Sequence, residues 1–264
     1  MTAASDPVVP MAASIHPGWP VAVALALLLA LALVGHAVAR YGLEKEVLVA
    51  GVRAILQLSV AALLIGAVVE TLWLSALLVL FMFGLGVVTT TRRVHALQAW
   101  GWAALAMGSG VVPVLVVVLG SGAVPLEGIS VIPIAGIIVG NAMTAHTLLG
   151  RRAFAALREE HAQYEATLAL GMLPSQAIEE IVHRRVAEAL YPDLDKVKTV
   201  GMVTLPGAFI GVMLGGGSPF QAASAQALVL FGILVAQVIT VGVAERLISG
   251  RRLLPADLRG ALID

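Results

Sequence analysis

The residues that invite a chemical reading are polar side chains set into stretches otherwise too apolar to hold them. They are Arg53 and Gln57 in RAILQLS, Asn141, Met143 and Thr144 in PIAGIIVGNAMTAH, and Thr204 in MVTLPGAFIGVMLGGG. A buried amide or hydroxyl without a partner costs about 1–3 kcal/mol in proteins, so each needs either an interhelical hydrogen bond or a wet cavity. Arg53 stands near the start of its apolar stretch, where its guanidinium can snorkel to the interface as an anchor. Gln57 lies one turn deeper on the same helical face. Asn141 and Thr144 read either as the polar lining of a substrate pathway or as a clamp between helices, and Met143 reads also as a flexible filler. Thr204 stands beside a glycine-rich face. The apolar stretches contain no cluster of carboxylates and histidines that would grip a bare transition metal. Weak, transient or chelated binding is the form of metal handling open to such a chain, and the ligands of any metal are left unknown.

These residues sit in seven apolar stretches. Of 264 residues, 59% are hydrophobic and 12% charged, the mean hydropathy is +0.98, and soluble domains carry roughly 25% charged residues. The chain therefore reads as a polytopic membrane protein. A hydrocarbon core about 30 Å thick needs about 20 mostly apolar residues per helical span. The stretches at 19–38, 47–69, 72–91, 98–119, 129–149, 197–214 and 222–244 meet that need. They are continuously apolar, without the period-two alternation of barrel strands. The expected fold is all-α with seven transmembrane helices. With the amino terminus outside, all 16 Lys and Arg fall on or near the cytoplasmic side, and Asp6, Glu70 and Glu127 are left on the other. That is the asymmetry of the positive-inside rule, and it puts the carboxyl terminus in the cytoplasm. Residues 1–18 lack the basic segment of a signal peptide and are expected to form a flexible external tail. Residues 19–250 form the transmembrane domain and 251–264 a short cytoplasmic tail.

Between the fifth and sixth stretches lies a charged island, residues 151–198, which holds 15 of the 32 charged side chains. It reads as a helical cytoplasmic loop. Phe154, Leu157, His161, Tyr164 and Leu168 recur at helical spacing up to the break at Pro174. Ser175 is placed to cap a second helix with the stripe Ile178, Ile181, Val182, Val186 and Leu190, ended by Tyr191 and Pro192. Such helices also suit a membrane surface. Gly136 and Gly140 form a small-xxx-small pair, and Gly207, Gly211 and Gly215 a second glycine face, both suited to close helix packing. Pro206 interrupts the helix ladder beside the second face, and Pro113 predicts a kink or irregular turn in the fourth span. Threonines in TTTRR can bond back to helix carbonyls, and Arg92 and Arg93 stop translocation.

Several chemistries are excluded. With no cysteine, the chain has no disulfide and no thiolate chemistry. GxxxxGK[ST] is absent, so the chain binds no ATP through a P-loop. Ser109, in GSG, lies well inside the fourth span, whereas His146 is near the end of the fifth, which disfavours an intramembrane serine protease. The last span has no Lys for a retinal Schiff base. Nothing in the charge pattern suggests nucleic acid.

RAILQL, IIVGNAM, EATLALGMLPSQA and MVTLPGAFIGVMLGG, taken in this order, resemble the membrane subunits of the bacterial iron-export ABC transporter permease family, whose plant relatives are the aluminium-sensitivity permeases. The resemblance runs from about residue 20 to residue 260. It implies a permease of a bacterial inner membrane that forms a homodimer and exports iron, another metal or a small solute. It also implies a separate cytosolic ATP-binding subunit, in which the ATP and Mg would reside, with no cofactor held by this chain. Glu165, Ala166 and Gly171 match the E-A-A-x3-G spacing of the loop by which ABC importers dock their ATPase, and Ile181 stands where that loop has its Ile; the Leu-Pro that should follow is replaced by His183 and Arg184. The docking contact implied is Tyr164, Glu165, Ala166, Leu168, Gly171, Met172 and Ser175. Apart from the resemblance, a secondary transporter and a membrane scaffold or sensor that recruits a soluble partner remain open readings.

Overall fold

A computed structural model describes residues 18–262 of the chain, and the expected external tail, apart from Gly18, lies outside them. Among the described residues the structure is helical, without strands. Its helices are α1 (Trp19–Ala39), α2 (Glu44–Val68), α3 (Leu72–Arg93), α4 (Trp100–Gly120), α5 (Gly128–Glu159), α6 (His161–Ala169), α7 (Pro174–Thr199), α8 (Gly207–Leu214), α9 (Pro219–Ser249) and α10 (Ala256–Ala261). Six of them, α1 to α5 and α9, are continuous, long and apolar enough to cross a membrane. The reason is the one that hydropathy supplies: with no water at membrane depth, backbone groups must be satisfied within the segment, and only a helix does this for a single stretch.

The core is built on α4, α5 and α9. At Gly110 of α4 a Cβ would run into the Ala236 carbonyl and the Thr240 hydroxyl of α9, so only glycine permits this approach. Gly232 of α9 meets Val114 of α4 and Ile138 of α5. Gly86 of α3 faces Met107, Val139 and Met143. These pairings make α3, α5 and α9 parallel, with α4 antiparallel to them. Gly128 abuts Val69 and Ser75 at the end that carries Glu70 and Glu127, while Gly150 abuts Val94 at the other. The α1–α2 hairpin stands apart from this core and buries none of its residues.

Four expectations about element bounds are corrected. The sixth span, expected as one helix over 197–214, is broken: α7 ends at Thr199 and the short α8 begins at Gly207. Between them Gly201 takes a left-handed φ of +83°, and Pro206 supplies no amide donor and holds extended backbone ahead of α8. Pro192 does not end the second island helix. It sits inside α7, because the hydrogen bond and space it forfeits are outweighed by packing along α9. The first island helix is not separate from the fifth span either: α5 runs unbroken to Glu159, and the break falls at Glu160, ahead of α6. The cap of α7 is Leu173 rather than Ser175, with Pro174 in the first turn and the Gln176 Oε1 accepting from the Leu173 amide at 3.0 Å. Pro113 leaves α4 helical throughout.

The carboxyl-terminal tail is part of the fold. Leu253, Leu254, Leu258 and Leu262 are fully buried, and Tyr164 Oη donates to the Leu262 carbonyl at 3.1 Å. Arg158 Nε donates to Asp257 Oδ2 at 2.7 Å, and this guanidinium holds the Asp257 carboxyl below its usual range.

Candidate functional site

α7 connects the two regions of interest. Its first turn follows an exposed loop, and its last turns reach a largely apolar, half-open cavity with a few polar side chains between α5, α8 and α9.

The cavity, about 620 Å³, is lined by Asn141 of α5, Asp193 and Lys196 of α7, Thr204 of the α7–α8 connection, and Gln226 of α9, with Ile137, Val197, Pro206 and Val229 among its apolar walls. Its depth follows from α7 and α9 running antiparallel. His183 meets Glu245 near one end, and Asp193 meets Gln237 further along. Asn141, beside Gln237, is about 20 Å along α5 from Gly128 at about 1.5 Å per residue. Asp193 therefore lies at the depth of the apolar cores of α5 and α9. Assigning all of residues 151–198 to a surface loop is corrected here: the end of that island climbs alongside the spans.

The hydrogen bonding around Asp193 is specific. Asp193 is buried, 7% exposed. Gln237 Nε2 donates to its Oδ2 at 2.5 Å and also to the Asn141 carbonyl at 3.3 Å. Lys196 Nζ donates to its Oδ1 at 2.7 Å. The Asn141 amide nitrogen donates to the Ile137 carbonyl at 2.8 Å, so its side-chain oxygen is the group left for the cavity. Gln226 is buried too, and its Oε1 has no hydrogen-bond partner among the described residues. A buried acceptor left in this state costs about 1–3 kcal/mol, which makes the cavity a place for a donor or a cation.

Of the expected pathway residues, Asn141 and Thr204 are brought together. Arg53 and Gln57 are exposed on α2, away from the cavity, and Gln57 borders an apolar crevice with Leu64, Phe81 and Met82. Met143 packs near Gly86. Thr144 is exposed and bonds its own helix at the Gly140 carbonyl. Reading Pro192 as the end of a surface helix leaves Asp193 and Lys196 outside the expected site, and Gln226 is absent from it because its burial toward this cavity is set by packing of α9 and not by any local signal. The available signal was the continuation of helical spacing through Asp193 and Lys196 into the apolar residues that follow.

Of the expected packing glycines, Gly136 lies against Met82, whereas a Cβ at Gly140, Gly207 or Gly211 would meet open space and one at Gly215 only the α8 carbonyls. A buried hydrogen-bond network links α3 and α5: the Thr90 hydroxyl is 2.8 Å from His146 Nδ1 and 2.8 Å from the Thr147 hydroxyl. The Thr91 hydroxyl donates back to the Val87 carbonyl at 2.8 Å.

At the other end of α7, residues 169–173 form a protruding turn. Gly171 has φ +87°, in the left-handed region that favours glycine. Leu170 is 84% and Leu173 61% exposed, and Glu165, Ala166, Met172 and Ser175 are exposed beside them. Tyr164 and Leu168 point the other way: Tyr164 is buried against the carboxyl-terminal tail, and Leu168 packs on the core. Burial there pushes the Tyr164 phenol up, partly offset by Arg251. The base beneath this turn is held by island charges that pair with one another. Arg185 reaches Glu160 at 2.6 Å and Glu188 at 3.2 Å, and Arg152 reaches Glu188 at 3.4 Å.

Among the described residues no group of three or more His, Asp or Glu is placed to hold a metal ion.

In comparison with known proteins, the uncharacterised protein family UPF0014 matches residues 19–253. Probable iron export permease protein FetB of Escherichia coli (strain K12) is 34% identical over 222 residues, covering 81% of this chain and 83% of that protein. UPF0014 membrane protein STAR2 of Oryza sativa subsp. japonica is 33% identical over 194 residues, covering 72% and 68%. Protein ALUMINUM SENSITIVE 3 of Arabidopsis thaliana is 33% identical over 198 residues, covering 71% and 70%. No solved structure matches the chain.

Proposed function

This chain belongs to the UPF0014 family, an integral inner-membrane protein of the permease type, and on that premise we propose that it is the membrane subunit of an ATP-driven exporter. Its cargo is iron, another metal or a small solute, and the ATP and Mg belong to a separate cytosolic subunit. The iron reading rests on the FetB relative, whose name specifies iron export.

The observation that carries the mechanism is α7 itself, one helix from Pro174 to Thr199 that begins at an exposed apolar turn and ends at a half-open cleft into which it brings the buried Asp193. The turn, with Leu170, Met172 and Leu173 outward and Glu165 beside them, is the docking contact for the ATPase. Tyr164 and Leu168 position it from below. Closure of two ATPase subunits would push on the start of α7, and a rigid helix transmits that displacement to Asp193. The amino terminus is outside and the carboxyl terminus cytoplasmic, and α7 with α8 serves as a seventh, broken crossing antiparallel to α9. Irregular backbone at membrane depth is tolerated where it lines a cavity, as residues 200–206 do here. A second copy of the chain pairs with the open glycine face of Gly207 and Gly211.

The test is reconstitution with a candidate ATP-binding subunit in vesicles. ATP-dependent export of iron should appear, and Glu165→Arg should abolish both ATPase capture and flux. Flux in the absence of any ATPase, driven by an ion gradient, would sink this reading in favour of a secondary transporter. The buried Asp193 is the observation that favours that second reading, since intramembrane carboxylates serve as ion and proton sites.

A further inference from the structure

We infer that the groove at the start of α4 binds an anionic phospholipid, whose phosphodiester is taken by Arg252 and whose acyl chain lies along Trp100, Trp102 and Leu105. This goes beyond the exporter reading and needs neither its cargo nor its ATPase.

The groove has a volume of about 410 Å³ and is lined by Gln98, Trp100, Gly101, Trp102 and Leu105. It opens at the basic end of the bundle, where Arg92 and Arg93 close α3 and the Ala96 amide, donating to the Thr91 carbonyl at 2.9 Å, turns the chain toward α4. From Gln98 to Leu105 it runs about 10 Å toward the membrane interior, at about 1.5 Å per residue. A Cβ at Gly101 would meet open space, and Trp100 and Leu105 are 60% and 52% exposed. In water this would be an unshielded apolar wall. At the boundary of the hydrocarbon, where tryptophan is enriched, it is a wall for an acyl chain.

Arg252 supplies the selection for charge. Its guanidinium carbon lies 4.9 Å from the centre of the Trp102 ring, and Trp102 also borders the groove, so one side chain joins the cation to the apolar wall. A cation–π contact engages the face of the guanidinium. The N–H donors around its edge stay available, and their fork matches two oxygens of a phosphate. At the same end of the molecule Arg152, Arg158, Arg184 and Arg185 are met by carboxylates. Among the described residues no carboxylate pairs with Arg252, Arg92 or Arg93, all of them exposed. The charge that an acid neutralises elsewhere is left here for an anion at the depth of lipid headgroups. A free phosphate would use the guanidinium and leave the groove empty, whereas a phospholipid fills both.

The full chain carrying Trp19→Phe and Trp73→Phe keeps Trp100 and Trp102 as its reporters. In nanodiscs of phosphatidylcholine, phosphatidylglycerol brominated on its acyl chains is added in increasing fraction, and quenching of the tryptophan fluorescence gives the preference for one lipid over the other. Phosphatidylglycerol should be preferred about fivefold, the attraction of one well-placed basic group. Arg252→Gln should bring the ratio to about one. Arg40→Gln removes an exposed cation at the same end, on the detached α1–α2 hairpin, and should leave the preference unaltered. Equal quenching by the two lipids in the unsubstituted site overturns the inference without recourse to any variant. So do a preference that survives Arg252→Gln and an equal loss in Arg40→Gln, which marks a diffuse attraction. Inorganic phosphate, at an ionic strength matched with chloride, should not displace the lipid; displacement would make the ligand a free phosphate. Capture of a polyglutamate peptide through Arg252, with no preference among lipids, would give the surface to an acidic protein instead.

Discussion

The two ends of α7 solve the problem of charge in opposite ways. At the Pro174 end, ionised groups pair with one another at the surface, as Arg184 does with Glu180 at 2.5 Å with both about half exposed. Exposed pairs of this kind contribute little, about 0–1 kcal/mol, and their role is to leave the turn at 169–173 presented to a partner. At the Thr199 end a single carboxylate is buried, and its amide and ammonium partners come from defined positions. There each partner matters, because an unmet charge cannot turn to water. A charged island in a membrane protein is thus no single functional unit, and what each charge is worth depends on its depth.

Breaking the connection between the ends should have the largest effect. Val186→Pro removes a helix hydrogen bond and clashes with the preceding turn, a cost of about 3 kcal/mol or more. We expect it to abolish coupling of ATPase activity to flux, measured in the same vesicles. Next comes the deep end. Gln237→Leu takes the amide donor from Asp193, and a hydrogen bond to a charged group is worth about 1.5–3 kcal/mol; thermal melting in nanodiscs should register the loss. At the shallow end, Tyr164→Phe removes the hydrogen bond to the Leu262 carbonyl, worth about 1 kcal/mol, and should speed proteolytic release of the carboxyl-terminal tail.

The smallest effects belong to the surface. Arg184→Ala should alter stability by no more than about 0.5 kcal/mol, and a larger change in melting would erase the contrast between the ends. His183 offers a pH test at the same level. The hydrogen bond to Glu245 at 2.7 Å, that residue's charge, and those of Glu179 and Glu180 raise the His183 pKa above its usual value of 6.5. The sign follows: the pair's contribution is complete below that value and fades as pH climbs through the raised one. Melting should therefore fall slightly between neutral and alkaline pH, and His183→Ala should flatten that part of the profile.

Legibility from sequence varied with distance along the chain. The apolar stretches now seen as α1 to α5 and α9 were readable because each satisfies its backbone within itself, so no knowledge of neighbours is needed. Pro174 was readable as the break between two island helices, a local signal, whereas Gly171 was marked only by the spacing it shares with a docking loop, and its left-handed backbone came with the structure. Pro192 was misread because its local preference against helix was overridden by packing along α9. That one error hid Asp193 and Lys196. The glycine pairs were readable as small faces, yet Gly110 and Gly128 make the closest approaches to neighbouring helices, because which face meets a neighbour depends on a helix distant in sequence.

The amino-acid sequence by itself determined that this is a helical membrane protein, where the apolar parts of α1 to α5 and α9 run, and that charge is concentrated in one segment. Those properties depend on the free energy of placing each segment in lipid, which is a sum over neighbouring residues. Tertiary structure alone decided that Asp193 lies beside Gln237, that Asn141, Thr204 and Gln226 share its cavity, and that Tyr164 faces inward. Such contacts join residues 44 and 98 positions apart, and only the packing of whole helices sets that proximity.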